Sequence, residues 1–130
     1  MHRSRFLLST LGSAALVLQG CLFAAAGAGA AGGIYFTSRG AETVVERTVP
    51  DLVTRTEAVL AERSIAVSET TVKQGGDERE YKGKTGSLDV TVKLRRETPT
   101  TTKVEVTARR NLAEWDKDYA QDLLARILGQ

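Results

Sequence analysis

A single thiol, Cys21, stands in a chain of 130 residues. A lone cysteine can be a nucleophile, a metal ligand, a core group or an attachment point, but it excludes a disulfide within one chain. The only histidine is His2, ahead of the first apolar run. Once that segment is removed, no imidazole is left to act as a base or to hold a metal. The remaining chemistry belongs to carboxylates, hydroxyls, lysines and the tyrosines Tyr35, Tyr81 and Tyr119. A pair of carboxylates hydrolyses glycosides when correctly spaced. The best placed of them, Asp89, falls opposite Arg109 in the strand register derived below and is neutralised there. Gly75-Gly76 lies between two strand-like stretches rather than between a strand and a helix, so it lacks the context of a phosphate-binding loop. This inventory predicts a protein that is not an enzyme, takes no cofactor and binds no metal.

Composition bounds the rest. With 42% hydrophobic and 26% charged residues, the chain can fill one modest core, and one domain is expected. The formal charge of +2 includes Arg3 and Arg5, which precede the apolar run. Without them Lys+Arg falls from 18 to 16 and equals the 16 Asp+Glu. A neutral remainder gives no argument for nucleic acid or for an anionic membrane surface as partner.

The first 21 residues, MHRSRFLLSTLGSAALVLQGC, have the layout of a secretory signal, with a basic start, an apolar stretch from Phe6 to Leu18 and small or neutral residues before the cut. Leu18-Gln19-Gly20-Cys21 resembles the lipobox of bacterial lipoproteins, Gln19 being the less usual residue. The resemblance implies cleavage before Cys21, a diacylglycerol on its sulfur and an acyl chain, such as palmitate, on its new amino group. Several acyl chains hold far more firmly than one, at about 0.8 kcal/mol per buried methylene. Leu22 stands where the related sorting pattern carries an aspartate for inner-membrane retention, which favours the outer membrane, with the domain facing the periplasm. Three alternatives compete. The uncharged run from Phe6 to Phe36 is long enough to span a bilayer, which takes about 20 residues. Ala26-Gly27-Ala28 suits an ordinary signal peptidase. The third is a buried structural thiol.

Residues 24–33 are all alanine and glycine. Ala25, Gly29 and Gly33 lie at a spacing that suits close helix contact in membranes, but glycine costs about 1 kcal/mol per residue in a helix, and a tether is the preferred reading. Ile34-Tyr35-Phe36 either rests at the lipid interface or begins the fold. The expected organisation is a signal peptide over 1–20, a lipidated cysteine and tether over 21–38, and a small domain over 39–130.

Within the domain, Ala41–Thr48 reads as a strand. Thr48-Val49-Pro50-Asp51 follows with a capping hydroxyl, a first-turn proline and an acid at the positive helix end. Leu52, Val53, Thr56, Val59 and Leu60 recur at helical spacing up to about Arg63. Ile65-Ala66-Val67 opens a strand that ends at Gln74-Gly75-Gly76-Asp77. Residues 78–83 form a weak strand with Tyr81, and Thr85-Gly86 turns the chain into Leu88–Arg95, which alternates with period two. After Pro99, Val104, Val106 and Ala108 alternate with polar residues. Apolar matching sets Leu94 opposite Val104, Val92 opposite Val106 and Val90 opposite Ala108, with Lys93 facing Glu105 and Asp89 facing Arg109 on the wet side. By the same logic Tyr81 faces inward opposite Val90. An odd loop at Gly75-Gly76 is then required to bury Ile65 and Val67 with it. Asp116 caps a closing helix with Tyr119, Ala120, Leu123, Leu124, Ile127 and Leu128 on one stripe, and Trp115 is expected to fold against that stripe as a staple.

These elements predict an α+β domain of order β-α-β-β-β-α, an antiparallel sheet with two helices packed on one face. The lipobox, the Ala/Gly tract and this layout over nearly the whole chain resemble the small bacterial lipoproteins of domain of unknown function 3568. The resemblance implies an envelope location and carries no catalytic residue or known substrate. Arg95, Arg96, Lys103 and Arg110 have no clear partner in the sequence; they are a solvated face or an anion-binding patch. Two function classes follow. One is a membrane-anchored interaction or scaffold lipoprotein, held in the bilayer through acylated Cys21 and meeting an envelope protein through its sheet. The alternative is a small-ligand or lipid carrier with a cavity between sheet and helices.

Overall fold

The strongest alternations in the sequence form the centre of the sheet. The computed structural model describes residues 33–130, and Cys21 with its lipobox residues Leu18, Gln19 and Gly20 lies outside them. The described chain is an α+β fold, a six-stranded antiparallel sheet with two helices. In chain order the elements are β1 (Tyr35–Phe36), β2 (Gly40–Val45), α1 (Val49–Glu62), β3 (Ala66–Lys73), β4 (Glu78–Thr85), β5 (Leu88–Arg96), β6 (Thr102–Arg109) and α2 (Lys117–Leu128). The sheet order is β1-β2-β6-β5-β4-β3. The expected order β-α-β-β-β-α undercounts the strands: four, not three, follow α1. The weak 78–83 stretch makes a full strand because it is paired on both sides, to β3 and β5. Tyr35–Phe36, expected in the tether, adds a further strand in front.

The β5–β6 register is the one that apolar matching requires, with Val92 opposite Val106 and Lys93 opposite Glu105. Leu88, Val90, Val92 and Leu94 of β5, with Val104, Val106 and Ala108 of β6, are buried on one face. Both helices press their stripes onto that face, in one core with Leu52, Val59, Leu60, Leu123, Leu124 and Ile127. Burying each such side chain contributes about 1.5–3 kcal/mol.

α1 starts where Thr48 Oγ1 accepts from Asp51 N, with proline in the first turn. α2 starts where Asp116 Oδ1 accepts from Tyr119 N at 2.9 Å. Its C-terminal carbonyls, the negative end of the helix, receive cations from the first half of the chain. The Arg55 guanidinium donates twice to Arg126 O, at 3.2 and 3.0 Å, and Arg47 Nη2 donates to Leu128 O at 3.3 Å. An Arg63–Asp122 ion pair adds a further link between the helices.

The β3–β4–β5 region departs from the expected register. The turn lies at Gly86-Ser87, so Tyr81 sits opposite Val92, not Val90. A slip of two preserves the face, and Tyr81 is buried as expected. The β3–β4 connection pairs Lys73 with Glu78 and therefore holds four residues, an even number. The parity is restored within β3, where the register shifts between Val67 and Glu69. Ser68 is the extra residue of this bulge, and its hydroxyl donates to Lys82 O at 3.2 Å. Ile65 is buried, but Val67 is 43% exposed, because β3 is an edge strand. Gly83 makes the crossing possible: a Cβ there would stand 2.8 Å from Ala66 O and 2.9 Å from Ile65 Cγ2.

Candidate functional site

The face of the sheet opposite the helices is a grid of polar side chains whose rows follow from the register. Glu80, Lys93 and Glu105 form one row across β4, β5 and β6. Lys82, Thr91, Thr107 and Gly40 form the next. Lys84, Asp89 and Arg109 form the third. The short Thr91–Thr107 row between two charged rows leaves a trough of about 290 Å³. Gly40 must be small at its end, since a Cβ there would meet Val106 O at 2.0 Å.

Trp115 walls the trough, and the loop after β6 puts it there. Asn111 Oδ1 accepts from Ala113 N and Glu114 N, at 2.9 and 3.0 Å, and Arg110 N donates to Glu114 O at 2.9 Å. The chain thus folds back so that Trp115 bridges to Arg109 and Asp116 N donates to Ala108 O. Trp115 is therefore not a staple on the α2 stripe. The Arg109 guanidinium lies over its ring at 5.6 Å and that of Arg39 at 5.5 Å, contacts worth about 0.5–1 kcal/mol each at exposed sites. Stacking uses the faces of these guanidiniums and leaves their N–H edges for oxyanions.

The charges of the grid are paired differently from the expectation. Lys93 and Glu105 face each other, as do Asp89 and Arg109, but the ion pairs run to β4: Lys93 meets Glu80 at 3.3 Å and Asp89 meets Lys84 at 3.4 Å. A central strand has neighbours on both sides, and Arg109 is drawn to the indole instead. Glu80 also meets Lys82 at 3.3 Å. Burial alone raises its pKa, but hydrogen bonds and charge from Lys82 and Lys93 outweigh that and hold it below the ordinary carboxylate value. It is ionised at neutral pH, which suits an acceptor rather than a general acid. The trough thus offers guanidinium donors, threonine hydroxyls, carboxylate acceptors and an aromatic surface, a set that binds a polar partner.

The four cations of the proposed anion patch are not brought together. Arg95 pairs with Glu97 at 3.1 Å, Arg96 with Asp77 at 3.3 Å, Lys103 with Glu42 at 3.4 Å and Arg110 with Asp116 at 2.7 Å. Arg95 and Lys103 are cross-strand neighbours, Arg96 is on the opposite face beside buried Thr102, and Arg110 lies beyond the far end of β6. Sequence reasoning missed Trp115 and Arg39. The available signal was Asn111, a good turn former two residues after the polar-facing Arg109, which suggests a loop folding back onto the strand.

On the helix face, Tyr81 OH donates to Glu57 Oε1 at 3.0 Å, and Arg79 Nη1 stands 3.6 Å from the same oxygen. Burial, together with the hydrogen bond to Glu57, raises the Tyr81 pKa against the lowering influence of Arg79. This cluster links α1 to β4 and is explained as packing. Over the middle of the sheet the space under the helices is filled by Leu52, Leu94, Leu123, Leu124 and Ile127, all fully buried; towards the β3 edge an opening of about 290 Å³ remains between α1 and the sheet, lined by Leu60, Ala61, Ile65, Val67 and Tyr81. Among the described residues no helix is long and apolar enough to cross a membrane. Comparison with protein-family models and with curated proteins finds no match to this chain.

Proposed function

We propose that the domain is the periplasm-facing part of a lipid-anchored envelope lipoprotein, attached to the outer membrane through acylated Cys21, and that it acts as a non-enzymatic interaction module. The contact surface is the outer face of the sheet. The observation that carries this reading is the trough walled by Trp115, Arg39 and Arg109 on a face that no other element among the described residues covers. The dense fill of the central core leaves only a small recess open to solvent beside β3, which favours a surface contact over a carrier cavity, since small-molecule sites are concave, span about 300–1,000 Å³ and bury most of their ligand. The resemblance to the small lipoproteins named above fits the same location.

Two measurements test the proposal. Intact-mass analysis of the membrane fraction should find acyl mass on a chain that begins at Cys21; a mature chain without it removes the anchor. A photo-crosslinking residue at Thr107, on the floor of the trough, should give a discrete adduct in intact cells, and the same residue at Val72 on β3 should not. An apolar ligand retained in stoichiometric amount through purification overturns the surface reading in favour of the carrier.

A further inference from the structure

The described chain begins at Gly33, and the surface near its entry is unlike the rest of the domain. Tyr35 and Phe36 are 62% and 55% exposed, and Leu112, in the loop that presents Trp115, is 89% exposed. With Val44 they make up four of the six large apolar side chains exposed among the described residues. The other two, Val67 and Val72, lie on β3 at the opposite edge. The register sets Tyr35 opposite Glu42 on the outer face and Phe36 opposite buried Ala41 on the helix face, so the β1 edge is apolar on both sides. Arg39, in the turn between β1 and β2, reaches Trp115 and joins this edge to the Leu112 loop.

Charge at this corner is also uneven. Three of its carboxylates already have cations: Asp116 has Arg110, Asp89 has Lys84 and Glu42 has Lys103; a fourth, Glu114, accepts from Asn111 Nδ2 instead. Arg39 and Arg109 take part in no ion pair among the described residues and stack on Trp115 instead. Indole and phenol rings sit well at the level of lipid headgroups, exposed apolar tips enter just below it, and guanidinium edges bind phosphate oxygens.

We propose that this corner rests on a phospholipid surface, with Leu112, Tyr35 and Phe36 in the headgroup region and Arg39 and Arg109 on lipid phosphates. The inference rests on lipid attachment at Cys21. Eleven residues separate Cys21 from Gly33, and a chain spans at most about 3.6 Å per residue, so Gly33 stays within about 43 Å of the anchor in any conformation. A domain of this size has a radius of gyration of about 13 Å, which keeps the corner within reach of the bilayer. The acyl chains hold the protein, and the corner orients it. At this corner the bilayer is preferred to a protein partner because the apolar surface is concentrated on the edge where the chain enters, and the proposed protein contact is then confined to the trough floor at Thr91 and Thr107.

The test uses the full acylated protein in vesicles of phosphatidylethanolamine and phosphatidylglycerol. Leu112→Cys and Val72→Cys are made separately. With the Cys21 sulfur taken up by lipid, each variant has one free thiol for an environment-sensitive fluorophore. A nitroxide on the lipid headgroup should quench the label at position 112 several-fold more than the label at position 72. Adding Arg39→Gln and Arg109→Gln should reduce the difference. Equal quenching at the two positions, in protein whose mass shows acylation, overturns the inference and leaves the anchor standing. A cross-link from position 112 of one copy to position 112 of another in the vesicles, as a second copy seated on this corner would produce, also overturns it. A mature chain without acyl mass overturns anchor and inference together.

Discussion

Substituting Asp at Val92 and, separately, at Thr91 tests which face of the sheet is core and which is offered to a partner. The two positions are adjacent on β5, so composition and propensity change alike. Val92 is fully buried between Tyr81 and Val106. A carboxyl there has no cation and has its pKa raised by burial, by up to about 3–5 units for a fully buried group. At about 1.36 kcal/mol per unit, and with the cost at pH 7 capped at the roughly three units between that pH and the unfolded value of about 3.9, that costs roughly 4 kcal/mol, and the lost valine burial adds about 1.5 kcal/mol. A domain of this size has a total stability of about 5–15 kcal/mol, so Val92→Asp should be largely unfolded at pH 7. Thr91 lies on the floor of the trough, opposite Lys82, and Asp there should cost less than about 1 kcal/mol.

The pH dependence sharpens the test. In Val92→Asp the folded pKa is raised above the unfolded value of about 3.9, so the folded state binds more protons and stability increases as pH falls from 7 toward 4. The wild type should move the other way, because Glu80 has a lowered folded pKa. Thermal melts followed by circular dichroism at pH 7, near pH 4.5 and near pH 3 measure both, the first pair for Val92→Asp and the last pair for the wild type. Equal melting temperatures for the two variants, or no recovery of Val92→Asp in acid, would refute the assignment of faces and the contact surface built on it.

Glu80→Gln should lower the melting temperature modestly at neutral pH and flatten its acid dependence. The Glu80 contribution is present above about pH 4.5 and is lost as pH falls through the lowered folded value; parallel wild-type and variant curves would contradict this. Tyr81→Phe removes a hydrogen bond to a half-exposed carboxylate and should cost about 1 kcal/mol. It should also lessen the loss of stability above about pH 10, where the unfolded tyrosine ionises before the folded one; Tyr119, also raised, keeps part of that loss. Gly83→Ala drives a methyl group against Ala66 O and should cost about 1–3 kcal/mol, with faster amide exchange in β3; unchanged exchange there would show that the bulge is not held by this contact.

Much of this fold was legible because its signals are local and redundant. Period-two alternation in β5 and β6 admits one register that buries every apolar residue, and the caps at Thr48 and Asp116 carry their own hydrogen-bond logic. The β3–β4 pair was legible only in part. Burial of Tyr81 and Ile65 demanded an odd residue somewhere between them, and the glycines made the loop the natural place. The sheet inserts it at Ser68 instead. Gln74, Gly75 and Gly76, all at positive φ, then make the four-residue connection. Parity is a sum over loop and strand, so the pattern fixes the total and leaves its location open.

Trp115 shows the same ambiguity with a functional consequence. As a staple it would have to pack against Ala120, the fourth residue of α2, which is already buried in the core. The competing arrangement continues the β6 ladder through the Arg109–Trp115 bridge and the Asp116 N to Ala108 O bond. Residues paired across a ladder share a face. Arg109 points away from the core because Ala108 points into it, so its partner must also point outward. The five residues between them then place an indole on a polar face, where two arginines can stack on it. The step from a capping signature to a staple considers only the helix, whereas the decisive hydrogen bonds belong to the strand that precedes it. The groups that give the outer face its chemistry therefore come from the two loops at one end of the sheet, and their positions follow from the pairing of β6 rather than from any motif within the loops themselves.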